Sequence, residues 1–130
     1  VSNRAFTMRR VATMEPRIRQ LAESLIDNFI AQGGGDWIEQ VAVPLPMTII
    51  TELLGFPLED IAYLKTLSDA GVAILSGINT EAQMADNASK LGEMMQYLGE
   101  RFDEAALAPG NNVTGDLVSV SLEEGEFFTR

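Results

Sequence analysis

The sequence contains no cysteine and no histidine. Without cysteine there is no disulfide, no thiolate-held zinc or iron–sulfur cluster and no cysteine nucleophile. Without histidine the chain lacks the usual general base and the commonest transition-metal ligand, and the two absences together remove both main axial ligands of haem iron. We therefore predict no catalytic residue and no metal site within these 130 residues.

Basic residues are scarce, with nine lysines and arginines against 19 aspartates and glutamates and a net charge of −10. This balance argues against a nucleic-acid partner, because phosphate neutralisation needs lysine and arginine. The positive charge is concentrated in residues 1–20, where one glutamate accompanies five arginines: Arg4, Arg9, Arg10, Arg17 and Arg19. Such a cluster is typical of a docking face for an acidic partner, or of a solvated helix whose arginine stems cover apolar neighbours.

Long apolar runs are also missing. No stretch reaches the ~18 apolar residues that a membrane span needs, and the first residues do not have the pattern of a secretion signal. We therefore expect no membrane span and a bacterial-type cytoplasmic location. A length of 130 residues fits one domain with one hydrophobic core.

The apolar residues that are present recur mostly at helical spacing, which predicts an all-α chain with at most one short strand. The first helix contains the apolar stripe from Ile18 to Ile30, with Thr13 as its N-cap, Pro16 in its first turn and Gly33 as its stop. Weak alternation after this helix favours a short strand over Asp36–Val41 with Trp37 as its anchor.

Four further helices are indicated by apolar stripes bounded by capping and breaking residues. The predicted segments are Met47–Leu54 closed by Gly55, a helix restarting at Pro57, a long helix from the N-cap Thr80 to about Ala106, and Asp116–Leu122 capped by Thr114.

The end of the third helix has no polar face. Residues 70–75 are apolar all round, so this stretch is either buried on every side or lines something apolar. For Val72 and Leu75 the residues leave two interpretations open: they line an apolar pocket, or they pack on neighbouring helices.

The order of these features resembles the middle of a bacterial cytochrome P-450. The most specific block runs from Ala42 to Asp60, with a proline-rich entry, an Ile/Leu helix, a Leu-Leu-Gly-x-Pro stop and an acidic restart. The resemblance is carried by Ala5-Phe6-Thr7, Glu15-Pro16-Arg17-Ile18, Gly35-Asp36-Trp37, Val41-Ala42-Val43-Pro44-Leu45-Pro46, Ile50-Thr51-Glu52-Leu53-Leu54-Gly55-Phe56-Pro57, Glu59-Asp60 and Leu67-Ser68-Asp69.

This resemblance implies that residues 1–130 are a single incomplete segment of a larger P-450 domain. The segment would start at the end of helix C, include helices D, E, F, G and H, and reach the start of helix I near Phe127. The intact enzyme would insert one oxygen atom of O2 into an apolar small molecule, using haem and electrons from a ferredoxin-type donor. The haem-ligating cysteine would lie elsewhere, so the segment alone would be inactive.

The resemblance also assigns roles to five residues. Gly71, Val72, Leu75 and Ile78 match the end of helix F and the start of helix G, which roof the substrate cavity in this family. Arg4 would lie on or near the proximal face, where the electron donor docks. The competing hypotheses are a stand-alone acidic helical protein-interaction module and a helical small-molecule binding protein.

Overall fold

The structure, a computed structural model, describes residues 8–124 of the chain and the side chains of residues 11–121. This part of the chain is helical and contains no strand. The five α-helices are α1 Met8–Ala31, α2 Pro44–Leu54, α3 Ile61–Ser76, α4 Glu81–Leu107 and α5 Val113–Glu124, with a π-helical turn Ile38–Ala42 and a 3-10 turn Leu58–Asp60. The expected mainly α architecture is confirmed.

Helix α1 is longer at its N-terminal end than the sequence predicts. It already includes Met8, so Thr13 is not its N-cap and Pro16 lies inside the helix. An interior proline removes one amide donor, which leaves the carbonyl of Ala12 without its helical partner. Both Ala12 and Pro16 are exposed, so water can reach this carbonyl and the helix continues. The predicted stop at Gly33 is confirmed by its positive φ of 79°.

The predicted strand over Asp36–Val41 is wrong, because this stretch is a helical turn. The carboxylate of Asp36 accepts hydrogen bonds from the backbone amides of Ile38, at 2.9 Å, and Glu39, at 3.1 Å, which starts the turn. Trp37 still acts as an anchor, but in a different way: its ring meets the ring of Phe29 edge-on, with centroids 5.3 Å apart. The turn is thereby attached to the end of α1.

Helix α2 begins three residues earlier than predicted, because Pro44 occupies its first turn, where no amide donor is missed. Its predicted end is confirmed: Gly55 has a φ of 79° and its amide donates back to the helix. A Cβ at Gly55 would also collide with the side chain of Asn112. Glycine is therefore required here both by the backbone angle and by the close approach of the loop before α5.

Helices α3 and α4 form an antiparallel hairpin with the most extensive contacts in the structure. Gly77 ends α3 with a φ of 68°. Thr80 caps α4 as predicted, and Gln83 completes a capping box by returning its side chain to the Thr80 amide. The glycine at the end of α3 and the capping box at the start of α4 fix both ends of the linker, residues 77–80.

Helix α5 packs on α4 and on the end of α2. Thr114 does not cap it as predicted, because it lies inside the helix and its hydroxyl donates to the carbonyl of Leu54 at 2.7 Å. The capping contact is made by Asn112, whose side-chain oxygen accepts from the amide of Gly115 at 2.8 Å. The threonine instead satisfies a carbonyl that the end of α2 leaves unpaired.

The hydrophobic core is small and lies where α2, α3, α4 and α5 meet. Helix α4, although 27 residues long, has no fully buried residue among those described. Several large apolar side chains on the other helices are exposed as well. The buried apolar residues are Val41, Phe56, Leu64, Leu67, Ala70, Val113 and Val118.

Candidate functional site

The C-terminal half of α3 and the linker after it expose three large apolar side chains, which we call the apolar edge: Val72, Leu75 and Ile78. Val72 is 67% exposed, and Leu75 and Ile78 are each 88% exposed. Successive helical residues turn by about 100°, so Val72 lies roughly 140° around α3 from the buried Leu67. Val72 therefore points away from the core of the described helices, whereas Leu75 lies on the same side of α3 as the buried Leu64 and is exposed near the end of the helix.

This geometry bears on the two interpretations of Val72 and Leu75. Within residues 11–121 these side chains are not buried against neighbouring helices. Gly71 beside them is half-buried, and a Cβ placed there would meet nothing within 4 Å. Fully burying an aliphatic side chain stabilises by about 1.5–3 kcal/mol, so covering the edge would contribute several kcal/mol.

The other end of the hairpin, at the start of α3, carries an aromatic cluster that joins α3 to α4. The Tyr97 hydroxyl donates to a carboxylate oxygen of Asp60 at 2.7 Å. Its ring meets the rings of Phe56 and Tyr63 edge-on, at centroid distances of 5.6 and 6.0 Å. The guanidinium of Arg101 lies over the same ring at 5.3 Å. The cluster therefore fixes the base of the hairpin from which the apolar edge extends.

Both tyrosines of this cluster are held neutral by their surroundings. Burial, followed by the hydrogen bond to Asp60 and its negative charge, raises the pKa of Tyr97 to about 12. Burial and the neighbouring Glu93 raise the pKa of Tyr63 as well, although its hydroxyl bond to Glu93 is long at 3.4 Å. The stronger contact is the one between Tyr97 and Asp60.

An ion pair joins α1 to α2. The guanidinium of Arg17 donates to Glu52 through Nε at 3.0 Å and through a terminal nitrogen at 2.6 Å. This bidentate contact raises the pKa of Arg17. Arg17 thus has a partner within the chain, and the basic N-terminal cluster is not a uniformly solvated face. Arg4, the residue predicted at the docking face, lies outside the described residues.

The residues present do not include the cysteine or histidine that most often holds haem iron. Both tyrosine hydroxyls are engaged with carboxylates. Two clefts between the described helices have volumes of about 250 Å³ each, and one of them is walled by Arg101 and Glu104.

Residues 8–124, the described part of the chain, contain no group of three or more aspartates or glutamates placed to hold a metal ion. None of their helices combines the length and apolar character that crossing a membrane requires.

Comparison with known proteins identifies what the chain is similar to. No family model matches the sequence. It is 35% identical to the cytochrome P450 monooxygenase PikC of Streptomyces venezuelae over 128 residues, which are 97% of this chain and 29% of PikC. It is 34% identical over 113 residues to luteothin monooxygenase of Streptomyces thioluteus, covering 87% of this chain and 28% of that protein.

The fold gives the same result. The crystal structure of the myxobacterial cytochrome P450 CYP267B1 with myristic acid matches 96% of this chain and 30% of its own at a TM-score of 0.78, with 26% identity. The helices and these relatives define a partial oxygenase fold. The chain belongs to the cytochrome P450 family. It spans about three-tenths of the length of the curated relatives that it matches.

Proposed function

We propose that residues 1–130 are a single incomplete segment, the central helical part, of a cytochrome P450 monooxygenase. The intact enzyme would insert one oxygen atom of O2 into an apolar small molecule and release the other as water, with two electrons from a ferredoxin-type donor and two protons. Haem held by a cysteine would supply the oxygen chemistry. That cysteine is not among these residues, so the segment alone would be inactive.

The observation that carries this proposal is the apolar edge. An aliphatic surface this exposed on a folded helix is typical of a face that meets apolar material. In the proposal α3 and α4 correspond to helices F and G, and the edge together with Gly71 lines the substrate cavity. The edge would bind apolar substrate by contact and would keep water away from it.

The remaining roles follow from the family. Arg4 would contribute to the face that receives the electron donor, and the enzyme would work in the bacterial cytoplasm. No described residue of this segment would take part in proton transfer or hold the metal. Its contribution would be shape and apolar surface.

The experiment is a graft. The aligned stretch of PikC is replaced by this chain, and turnover of PikC's own substrate is measured for the graft and for its Leu75→Ala variant. Leu107→Ala is the matched control, because Leu107 is 90% exposed at the far end of α4. We expect Leu75→Ala to raise KM about 5- to 30-fold or to change the ratio of products, through loss of roughly 1–2 kcal/mol of apolar contact.

Leu107→Ala should leave both quantities unchanged. If the two alanine variants behave alike, the apolar edge does not contact substrate and this part of the proposal fails. A graft that takes up haem but is unaffected at Leu75 would keep the family assignment and reject the cavity role.

A further inference from the structure

The linker between α3 and α4 reverses the usual arrangement of polar and apolar side chains. Ile78 is 88% exposed, whereas the next residue, Asn79, is half-buried. Apolar side chains ordinarily gain by turning inward and amide side chains by staying in water. A specific set of contacts must therefore keep the side chain of Asn79 partly buried while that of Ile78 remains exposed.

Those contacts run to both helices of the hairpin. The side-chain nitrogen of Asn79 donates to the carbonyl of Ala73 at 2.5 Å, and its side-chain oxygen accepts from the side-chain nitrogen of Asn87 at 3.2 Å. The Ala73 carbonyl lies in the last turn of α3, where carbonyls lack backbone amide partners, and it also accepts from the hydroxyl of Ser76 at 2.7 Å. One amide side chain thus joins the end of α3 to the second turn of α4.

The backbone on either side of Asn79 is fixed separately. Gly77 adopts the left-handed conformation and its amide donates to the carbonyl of Ile74. Thr80 and Gln83 exchange the two hydrogen bonds of the capping box. The amide of Ile78 itself donates to the hydroxyl oxygen of Ser76 at 3.4 Å. Between these fixed ends, the side chain of Asn79 supplies the hydrogen bond to Asn87 in α4.

We propose that Asn79 is a positioning residue. Through Ala73 and Asn87 it holds Ile78 outward beside Leu75, so that all three side chains of the apolar edge are exposed. That this surface meets substrate rests on the proposed function; the positioning itself does not. Loss of the Asn79 contacts would let Ile78 turn inward and would break the edge.

Amide hydrogen exchange in the 130-residue chain, followed by NMR, tests this. Asn79→Ala removes two hydrogen bonds, and we expect the amides of Gly77 and Gln83 to exchange about 5- to 30-fold faster. The amides of Leu67 and Val118, in the core, should keep their rates. A general loss of stability would instead accelerate all four amides together.

A double-mutant cycle isolates the contact with α4. Asn87→Ala alone should accelerate exchange at Gly77, and it should add nothing when Asn79 is already alanine. The cycle cancels the better helix propensity of alanine in α4. Asn111→Ala, at an exposed asparagine outside the linker, should leave the linker amides unchanged.

Three results would each overturn the proposal: an unprotected Gly77 amide in the unsubstituted chain, equal acceleration of linker and core amides by Asn79→Ala, or an Asn87→Ala effect that is the same in both backgrounds. None of these measurements uses haem, electron donor or substrate. A failed graft would therefore reject the proposed function and leave this inference standing, and the reverse also holds.

Discussion

Replacing Asp60 by asparagine should lower the pKa of Tyr97 by an amount that can be read directly. The chain has only two tyrosines, so Tyr63→Phe leaves Tyr97 as the single phenol. Asparagine still offers an oxygen to the Tyr97 hydroxyl but removes the negative charge that opposes phenolate formation. The change therefore separates the effect of the carboxylate from that of burial.

The magnitude follows from the contacts around the ring. The pKa of Tyr97 is about 12 against an ordinary value of 10.0, with burial as the largest cause and the Asp60 bond next. A shift of two pKa units corresponds to a free-energy difference of roughly 3 kcal/mol. Because Tyr97 has a higher pKa in the folded state than in the unfolded state, this contribution to the free energy of unfolding is present below pH 10 and is lost as the pH rises through about 12. In Asp60→Asn the pKa should fall but stay above 10, since burial remains.

The assay is an ultraviolet titration of the phenolate in the Tyr63→Phe background, with far-ultraviolet circular dichroism at each pH to confirm that the helices persist. Glu59→Gln is the matched control, because it removes a charge from the adjacent, exposed position. A Tyr97 pKa near 10 in the Tyr63→Phe chain, with its helices intact, would refute the reasoning. An equal shift of the Tyr97 pKa in the Glu59→Gln and Asp60→Asn variants would refute it as well.

Three further predictions concern stability and surface. Arg17→Lys cannot keep the bidentate contact with Glu52, so the apparent melting temperature should fall by about 2–4 °C. Arg19→Lys changes an exposed ion pair and should leave the melting temperature unchanged. Equal effects of the two substitutions would contradict the role assigned to Arg17. Thr114→Val loses the hydroxyl hydrogen bond to the end of α2 and should lower the free energy of unfolding, measured by urea denaturation, by about 1–3 kcal/mol. Thr66→Val, which loses an exposed hydroxyl hydrogen bond, is the control, and an equal or larger loss of stability in that variant would refute the prediction. The unsubstituted chain should bind a hydrophobic dye at its exposed apolar surface, and serine at all three positions of the apolar edge should reduce the dye fluorescence. A chain that binds no dye would favour the free-standing interaction module.

The parts of the fold that local signals decide were predictable from the sequence. Gly55 and Gly77 end their helices because only glycine adopts a positive φ freely, and Thr80 with Gln83 starts α4 through a capping box. Local patterns predict the wrong structure where a nearby side chain forms a hydrogen bond that the pattern does not show. Asp36 turns a weakly alternating stretch into a helical turn, and Asn112 takes the capping position expected of Thr114.

The residues that make up the candidate site could be predicted from the sequence, but the contacts between side chains around it could not. The absence of polar residues at the end of α3 marked the apolar edge, because a helix without a polar face is either buried or facing apolar material. The contacts that join the helices depend on pairs distant in sequence. Asp60 accepts from Tyr97, 37 residues away, and Arg17 contacts Glu52 across 35 residues. Periodicity carries no information about such partners.

The carbon monoxide difference spectrum of the reduced graft tests the central claim most directly. If this chain is the middle of a cytochrome P450, the remainder of PikC supplies the cysteine, the chain supplies its helices, and the graft should give the spectrum of thiolate-ligated haem. The ungrafted 130-residue chain mixed with haemin should not give it. A soluble, helical graft that binds no haem, or a thiolate-type spectrum from the ungrafted chain, would contradict the account.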